Sequence, residues 1–196
     1  MRDMYAPASS AGFTLIEVLI TFLVLAIGLL GLAGLQVNTL SNQFETYQRA
    51  QAVMLAEDMA NRIRVDAIAA RAGDYAEGSE YGLLDEEDCT VMAVSAERYL
   101  CEWNNTLAGA GVAQGVQKLG SIIGARGCIE NLVGSVDGET IIRVTIAWQG
   151  STPTIAPAST CGQGQYGAVD PNDPDDPGER YRRTASVDVV LANLAL

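Results

Sequence analysis

One acidic side chain stands at the start of a long apolar run. In the stretch GFTLIEVLI, residues 12–20, Glu17 is followed by residues 18–44 without another ionisable side chain. A carboxylate within a membrane segment costs about 2.5 to 3.5 kcal/mol near the centre on insertion scales, and such residues usually face a partner. The alternative is that Glu17, near the membrane edge, extends into the lipid headgroups. The sequence therefore predicts either an ionic partner for Glu17 or a position at the membrane surface.

Four cysteines are the next candidates for chemistry, in a chain that has no histidine. Cys89, Cys101, Cys128 and Cys161 are separated by 11, 26 and 32 residues, so no C-x-x-C pair suited to zinc exists. We therefore expect disulfides, no metal ion and no cofactor. Three pairings are possible, and the cysteines alone do not choose among them. A bond between the first two requires a bend, because in a continuous helix their Cα atoms would lie about 18 Å apart.

The chain lacks the side chains of the common nucleophilic active sites. Without histidine, neither a serine–histidine nor a cysteine–histidine pair can be built, and no glycine loop that would cradle a phosphate is present. Scattered carboxylates could form an acid and base pair, but nothing in the sequence brings two of them together. We predict that the protein is not an enzyme.

An acidic segment near the C-terminus, VDPNDPDDPGERYRR at 169–183, has prolines at every third position. This spacing predicts an extended, solvated loop. A calcium site is the alternative, but Pro174 and Pro177 interrupt the pattern of an EF-hand loop. Arg180, Arg182 and Arg183 are expected to pair with the carboxylates of the same segment.

The element that carries Glu17 is long enough to cross a bilayer. Residues 13–35 would span about 34 Å as a helix, against a hydrocarbon core of about 30 Å. A polar segment, residues 1–12, precedes this span, and no A-x-A-like cleavage site follows it, which inverts the order of an ordinary secretory signal. If anything is removed, we expect it to be residues 1–12. Arg2 and the initiator amine favour a cytoplasmic location for them.

The helical pattern continues beyond the span, and one helix is predicted from about residue 13 to about residue 70. It would be about 85 Å long, so its C-terminal half must bury an apolar stripe against the domain that follows. Three glycines at 28, 31 and 34 weaken the helix or permit close packing of small residues. The stripe consists of residues mostly three or four apart: Val37, Leu40, Phe44, Tyr47, Met54, Leu55, Met59 and Ile63.

The rest of the chain predicts a small α+β domain. Helical spacing recurs from about Ala93 to Leu107, and a hairpin at Asp137-Gly138 precedes a strand that alternates from Ile142 to Trp148. Cys128–Val136 and the C-terminal ASVDVVLANL are expected to complete an antiparallel sheet that packs on the long helix.

Charge excludes one class of partner. The net charge of −12 repels phosphate backbones, so we predict no nucleic-acid binding, and the chain gains little from anionic lipid headgroups.

At its N-terminus the sequence resembles a known family. The stretch GFTLIE, residues 12–17, with the apolar run behind it, is similar to the class III signal of type IV pilins and of the pseudopilins of type II secretion. The resemblance implies cleavage between Gly12 and Phe13 by a prepilin peptidase and N-methylation of Phe13. It also implies that the new amine of one subunit meets Glu17 of its neighbour in a helix bundle.

A narrower resemblance is to the PilV-type minor pilins of type IV pili. It rests on MLAEDMANRIR at 54–64, CEW at 101–103 and VTIAWQG at 144–150. It implies the pilin fold, a long helix packed on a small antiparallel sheet with a second short helix. It also favours disulfides between Cys89 and Cys101 and between Cys128 and Cys161.

The resemblance implies a minor pilin that helps initiate or modulate pilus assembly, a process connected with cell adhesion and twitching motility. Residues 1–12 would be the leader, residues 13–35 the membrane and assembly part of the helix, and residues 36–196 the periplasmic or extracellular domain. The protein would lie in the inner membrane with a single span, and later in the fibre with other minor pilins and the major pilin. The first alternative is a minor pseudopilin of type II secretion, and the second is a membrane-anchored ligand- or calcium-binding module that never polymerises.

Overall fold

A computed structural model describes residues 12–75, 80–83, 87–109, 113–114, 117–118, 122–133, 139–166 and 177–192. The chain divides into two compact units, Met1–Gln43 and Phe44–Leu196. Helix α1, Leu15–Val65, contributes to both.

In the first unit, three polar side chains of α1 donate hydrogen bonds to backbone carbonyls of the same helix. The hydroxyls of Thr21 and Thr39 donate to the carbonyls of Val18 and Leu35 at 2.8 and 2.9 Å. The Asn38 side-chain amide donates to the Gly34 carbonyl at 3.2 Å. Such bonds lower the cost of placing a hydroxyl or amide in an apolar environment. The three glycines at 28, 31 and 34 lie within uninterrupted helix.

In the second unit, α1 buries a face different from the predicted stripe. Met59 and Ile63 are buried as expected, but Phe44, Tyr47 and Met54 are 45, 55 and 63% exposed. Three alanines form half of the buried face, and a glutamine, a methionine and an isoleucine complete it: Gln48, Ala52, Ala56, Met59, Ala60 and Ile63. Alanines allow the helix to approach the sheet closely, and this close packing places the larger neighbours on the outer face.

The long helix is shorter than predicted at both ends. It starts at Leu15 rather than Phe13, and it ends at Val65, where Asp66 separates it from the short helix α2, Ala67–Ala72. Gly73, with a φ of 97°, closes α2 in the left-handed conformation that glycine tolerates best. Helix α3, Ala96–Ala108, occupies the region predicted for the second helix.

Three antiparallel strands in the order β3-β4-β5 form the main sheet: β3, Arg126–Val133; β4, Thr140–Gln149; and β5, Arg182–Leu191. The alternating positions of β4 from Ile142 to Trp148 are buried, and they join the core with the alanine face of α1. A separate ribbon that the sequence did not predict is formed by β1, Ala113–Gln114, and β2, Gln117–Lys118. The prediction of an α+β fold with a long N-terminal helix and a small antiparallel sheet is confirmed. The predicted Asp137-Gly138 hairpin lies outside the described residues.

Helix α3 packs on β3 through the side chain of Trp103. Trp103 of α3 is fully buried, donates its indole N–H to the Leu55 carbonyl of α1 at 3.0 Å, and lies against Tyr81 with ring centroids 5.5 Å apart. Gly127 of β3 faces this ring, and a Cβ at that position would lie 2.7 Å from Leu107 Cδ1. The absence of a side chain at Gly127 therefore makes room for the indole.

The extended conformation predicted for residues 169–183 is wrong at the C-terminal end of that segment. Pro177–Tyr181 form a short helix, α4, and the next two residues begin β5. Proline at the first helical position costs nothing there, because its missing N–H would have had no partner within the helix. The acidic part, residues 167–176, lies outside the described residues.

Candidate assembly site

The residues of the GFTLIE stretch form the beginning of α1. The hydroxyl oxygen of Thr14 accepts a hydrogen bond from the Glu17 N–H at 3.4 Å, and the Thr14 carbonyl accepts from Glu17 and Val18 at 3.1 and 3.3 Å. Thr14 thus occupies the N-cap position, and Thr-x-x-Glu is the signature of a capping box. Glu17 lies in the first turn, where the helix dipole favours a negative charge.

This geometry places Glu17 in the capped first turn, where its backbone N–H is the group that Thr14 caps, and the sequence argument missed this position. The signal was available, because an N-cap threonine three residues before a glutamate can be read directly from GFTLIE. A capping role alone requires no membrane and no partner. Any experiment on Glu17 must therefore separate the charge of the carboxylate from the start of the helix.

The side chains around this site are exposed in the single chain. Phe13 is 85% exposed and Ile16 is 65% exposed, and the apolar residues of α1 that follow are also on the surface. Among the described residues, α1 is the single helix that is long and apolar enough to cross a membrane, judged by length and composition. The site therefore consists of one capped acidic turn in front of a long uncovered apolar surface.

A second uncovered apolar surface lies on the part of α1 that belongs to the domain. Phe44, Tyr47 and Met54 point away from the core, and their spacing of three and seven residues places them on one side of the helix. In the sequence the three-and-four spacing runs back through Leu40 and Val37. Such spacing is typical of a helix that packs against another helix.

The four cysteines form two bonds, Cys89–Cys101 and Cys128–Cys161, each with its Cα atoms 5.8 Å apart. The first is possible because Cys89 lies in a separate 3₁₀ turn, Cys89–Val91, and not in α3. These are the pairs that the resemblance to PilV-type pilins favours. Cys161 packs with Cys128, Ala147 and Tyr166 on the face of the sheet opposite α1.

Arg182 organises the loop that covers this second face, and sequence reasoning missed its role. Its side chain is 2% exposed and forms an ion pair with Glu179 at 2.6 Å. It also donates to the backbone carbonyls of Cys161 at 3.0 Å and Pro157 at 3.3 Å, and to that of Ser159. One guanidinium therefore joins α4 to the loop that carries Cys161. The basic run at 180–183 gave no sign of which arginine would be buried.

Glu45 of α1 forms a second set of contacts that the sequence did not reveal. Its carboxylate accepts from the backbone N–H and hydroxyl of Ser151 at 2.9 and 3.1 Å, and from Arg183 at 3.2 Å. Arg183 thus pairs with α1, and its predicted pairing with the acidic residues 167–176 falls outside the described residues, whereas the pairing predicted for Arg182 is found with Glu179. Burial alone would raise the pKa of Glu45, but the hydrogen bonds from Ser151 and Arg183 outweigh burial and hold this pKa below its ordinary value.

No metal centre is evident in the described parts of the chain, where no group of three or more cysteine, aspartate or glutamate side chains is placed to hold an ion. The polar arrangements found there join elements of the fold.

Comparison with known families gives one match. The family described as "Prokaryotic N-terminal methylation motif" matches residues 7–33, the polar segment's end and most of the apolar run. No curated protein and no solved structure matches the chain. The matched motif is a type IV pilin-like signal and supports a place among the pilins and pseudopilins, whose role is structural rather than enzymatic. It implies processing by prepilin peptidase and assembly with other pilins, and with the apolar helix it fits a protein first anchored in a membrane and then assembled.

Proposed function

We propose that the chain is a minor pilin of a type IV pilus, of the PilV type, which joins the fibre and helps initiate or modulate its assembly. The observation that supports this most is the methylation motif in front of an apolar helix whose side chains are exposed. Exposed apolar surface on this scale needs a cover, which the bilayer supplies before assembly and neighbouring helices supply afterwards.

In this proposal, cleavage between Gly12 and Phe13 separates residues 1–12 as the leader. The new amine of Phe13, then methylated, carries a positive charge at the start of the helix. Residues 13–35 hold the protein in the inner membrane with a single span, and residues 36–196 lie in the periplasm until assembly. The partners are the prepilin peptidase, other minor pilins and the major pilin.

Glu17 pairs with the Phe13 amine of the neighbouring subunit. An unpaired carboxylate would be costly when α1 leaves the headgroups and enters a packed helix bundle, whereas a pair of opposite charges reduces that cost. Each subunit supplies one amine and one carboxylate, so the contact can repeat along a helical assembly.

The uncovered face formed by Phe44, Tyr47 and Met54 extends the contact surface past the apolar span. These side chains would pack against a helix of another pilin, since the core of their own domain uses a different face of α1. A protein that stayed a solitary anchor would have no use for this spacing outside the membrane.

The first experiment is mass spectrometry of the mature N-terminus in the native host. A chain that begins with methyl-phenylalanine at Phe13 supports processing, whereas an intact Met1 or a cut beyond Leu35 would contradict it.

The second experiment separates the two roles of Glu17. Glu17→Gln keeps a side chain that suits a capping box but removes the charge, while Glu17→Ala removes both. If the charge pairs with a neighbour, both variants should be strongly reduced in purified fibres while remaining in the membrane. Normal incorporation of Glu17→Gln would leave only the capping role.

A minor pseudopilin of type II secretion is the second candidate, because the same signal precedes both kinds of protein. Deletion of the gene distinguishes them: loss of surface fibres supports the pilin, and loss of protein secretion with intact fibres supports the pseudopilin.

A further inference from the structure

The beginning of the domain's share of α1 combines a strong polar contact with unsatisfied buried groups. Glu45 lies one residue after Phe44, where the second unit starts. Its carboxylate accepts bonds from Ser151 and Thr152 in the loop after β4, and from Arg183 at the start of β5. Glu45 therefore joins three elements at one end of the sheet.

The buried groups lie immediately beyond this contact. Gln48 is 1% exposed, and neither its side-chain oxygen nor its nitrogen has a hydrogen-bond partner among the described residues. The indole nitrogen of Trp148 is also buried without a hydrogen-bond partner among the described residues. Trp148 lies on β4 opposite Arg183 of β5. Glu45, Trp148 and Arg183 also line one cleft of about 210 Å³. On opening, water could form hydrogen bonds with the Gln48 amide and the Trp148 indole N–H. Their lack of partners therefore destabilises the closed arrangement relative to the open one.

The two observations act in opposite directions on one segment. Hydrogen bonds to the Glu45 carboxylate hold the segment closed, and the need of Gln48 and Trp148 for partners favours opening. Farther along the helix, Ala52, Ala56 and Ala60 are fully buried and carry no polar side chain. Opening should therefore stop at about Ala52.

We propose that Glu45 is a releasable latch: when its carboxylate loses its charge, residues 44–51 of α1 separate from the end of the sheet while the rest of the domain stays folded. In the opened state, water reaches the side chains of Gln48 and Trp148. Acidic surroundings favour the opened state. This device is independent of pilus assembly and belongs to the domain itself.

The charge that changes is that of Glu45. Among the described residues that face it, Arg183 from β5 and Arg49 from its own helix are cations, and arginine stays charged at every pH at which proteins remain folded. The loop contributes Ser151 and Thr152, which do not ionise in this range. Because the folded pKa of Glu45 is lowered, its contribution is present at neutral pH and is lost as the pH falls through that lowered value.

The test is hydrogen–deuterium exchange of the full chain in detergent micelles, corrected for intrinsic rates. Glu45→Gln should lower the protection of the Ser151 and Thr152 amides, which donate to Glu45, by about tenfold or more, the factor expected for loss of one charge-assisted hydrogen bond, and leave residues 56–64 unchanged. Asp58→Asn is the matched control, because Asp58 is an acid on the same helix that pairs with Arg62. It should leave the Ser151 and Thr152 amides as in the wild type.

Three further measurements test the proposal, and the two made on the unmutated sequence keep it falsifiable if Glu45→Gln folds poorly. The unmodified chain should show the same local loss of protection as the pH falls from 7 through the lowered pKa of Glu45. Gln48→Leu added to Glu45→Gln should restore protection, since a leucine gains nothing from water. With 5-fluorotryptophan, the ¹⁹F signal of Trp148 should shift on acidification and that of Trp103 should not. Unchanged protection of the Ser151 and Thr152 amides through the whole acid titration, or a loss that spreads across the whole domain, would overturn the latch.

Discussion

Replacing Arg182 by methionine should destabilise the domain far more than any other change in the basic run 180–183. The guanidinium is 2% exposed, pairs with Glu179, and donates to the carbonyls of Pro157, Ser159 and Cys161. Methionine fills a similar volume without donors, so the substitution leaves one carboxylate and these carbonyls without their partner. Removing one member of a buried ion pair costs about 3 to 5 kcal/mol, and we expect a loss of that size for Arg182→Met.

The assay is urea unfolding of the detergent-solubilised chain with both disulfides intact, followed by tryptophan fluorescence. A loss of about 3 to 5 kcal/mol corresponds to a midpoint lower by about 1 to 5 M urea for slopes of about 1 to 3 kcal/mol/M. Limited proteolysis should show earlier cleavage within residues 151–166, the loop that the arginine holds.

Arg180→Met is the matched control, because Arg180 is exposed and its Nε lies 3.4 Å from one carbonyl oxygen, that of Thr154. It should change the free energy of unfolding by less than about 0.5 kcal/mol, as surface substitutions usually do. The reasoning is refuted if Arg182→Met and Arg180→Met unfold at the same urea concentration. Glu179→Gln should show part of the Arg182 effect, since the amide can still accept a hydrogen bond but carries no charge.

Three further predictions concern the core, the disulfide on the second face of the sheet and an exposed ion pair on that same face. Gly127→Ala should cost about 1 to 3 kcal/mol in the same assay, because the new methyl group meets the buried Trp103 ring, and an unchanged midpoint would show that the ring moves freely. Replacing Cys128 and Cys161 together by serine should cost about 3.7 kcal/mol by the loop-entropy relation for a loop of 33 residues, and a loss below about 1 kcal/mol would contradict that role. A hydrogen bond from Arg143 holds the pKa of Asp188 below its ordinary value. The contribution of this pair to the stability of the domain is therefore present at neutral pH and disappears as the pH falls through the lowered pKa. Because the Arg143–Asp188 pair is about 40% exposed, Asp188→Asn should cost less than about 1 kcal/mol at pH 7, and this cost should shrink as the pH falls through the lowered pKa of Asp188.

The parts of the fold that were predicted correctly are those encoded by local patterns. The apolar run after Glu17 and the alternation from Ile142 to Trp148 each have a period that specifies one type of element. The element boundaries shifted by a few residues, because capping by Thr14 and the non-helical backbone of Asp66 are local features that hydrophobic spacing does not encode. Of the candidate site, the sequence identified the motif, but not that Glu17 also belongs to the capped first turn.

The face of α1 that meets the sheet could not be predicted, because two faces of the same helix are apolar. Phe44, Tyr47 and Met54 are more hydrophobic than the alanines at 52, 56 and 60, and a pattern based on hydrophobicity selects them first. Packing against a sheet selects by shape as well, and small side chains allow the closer contact.

The sequence by itself determined that the chain has one long apolar helix behind a processing motif, a small α+β domain and an even number of cysteines. These properties follow from composition and from spacing along the chain. Only the tertiary structure decided that Arg182 is buried, that Arg183 meets Glu45 across 138 positions of sequence, and that Trp103 needs a glycine opposite it. Such contacts join residues whose separation has no period, so they exist only once the chain has folded and brought them together.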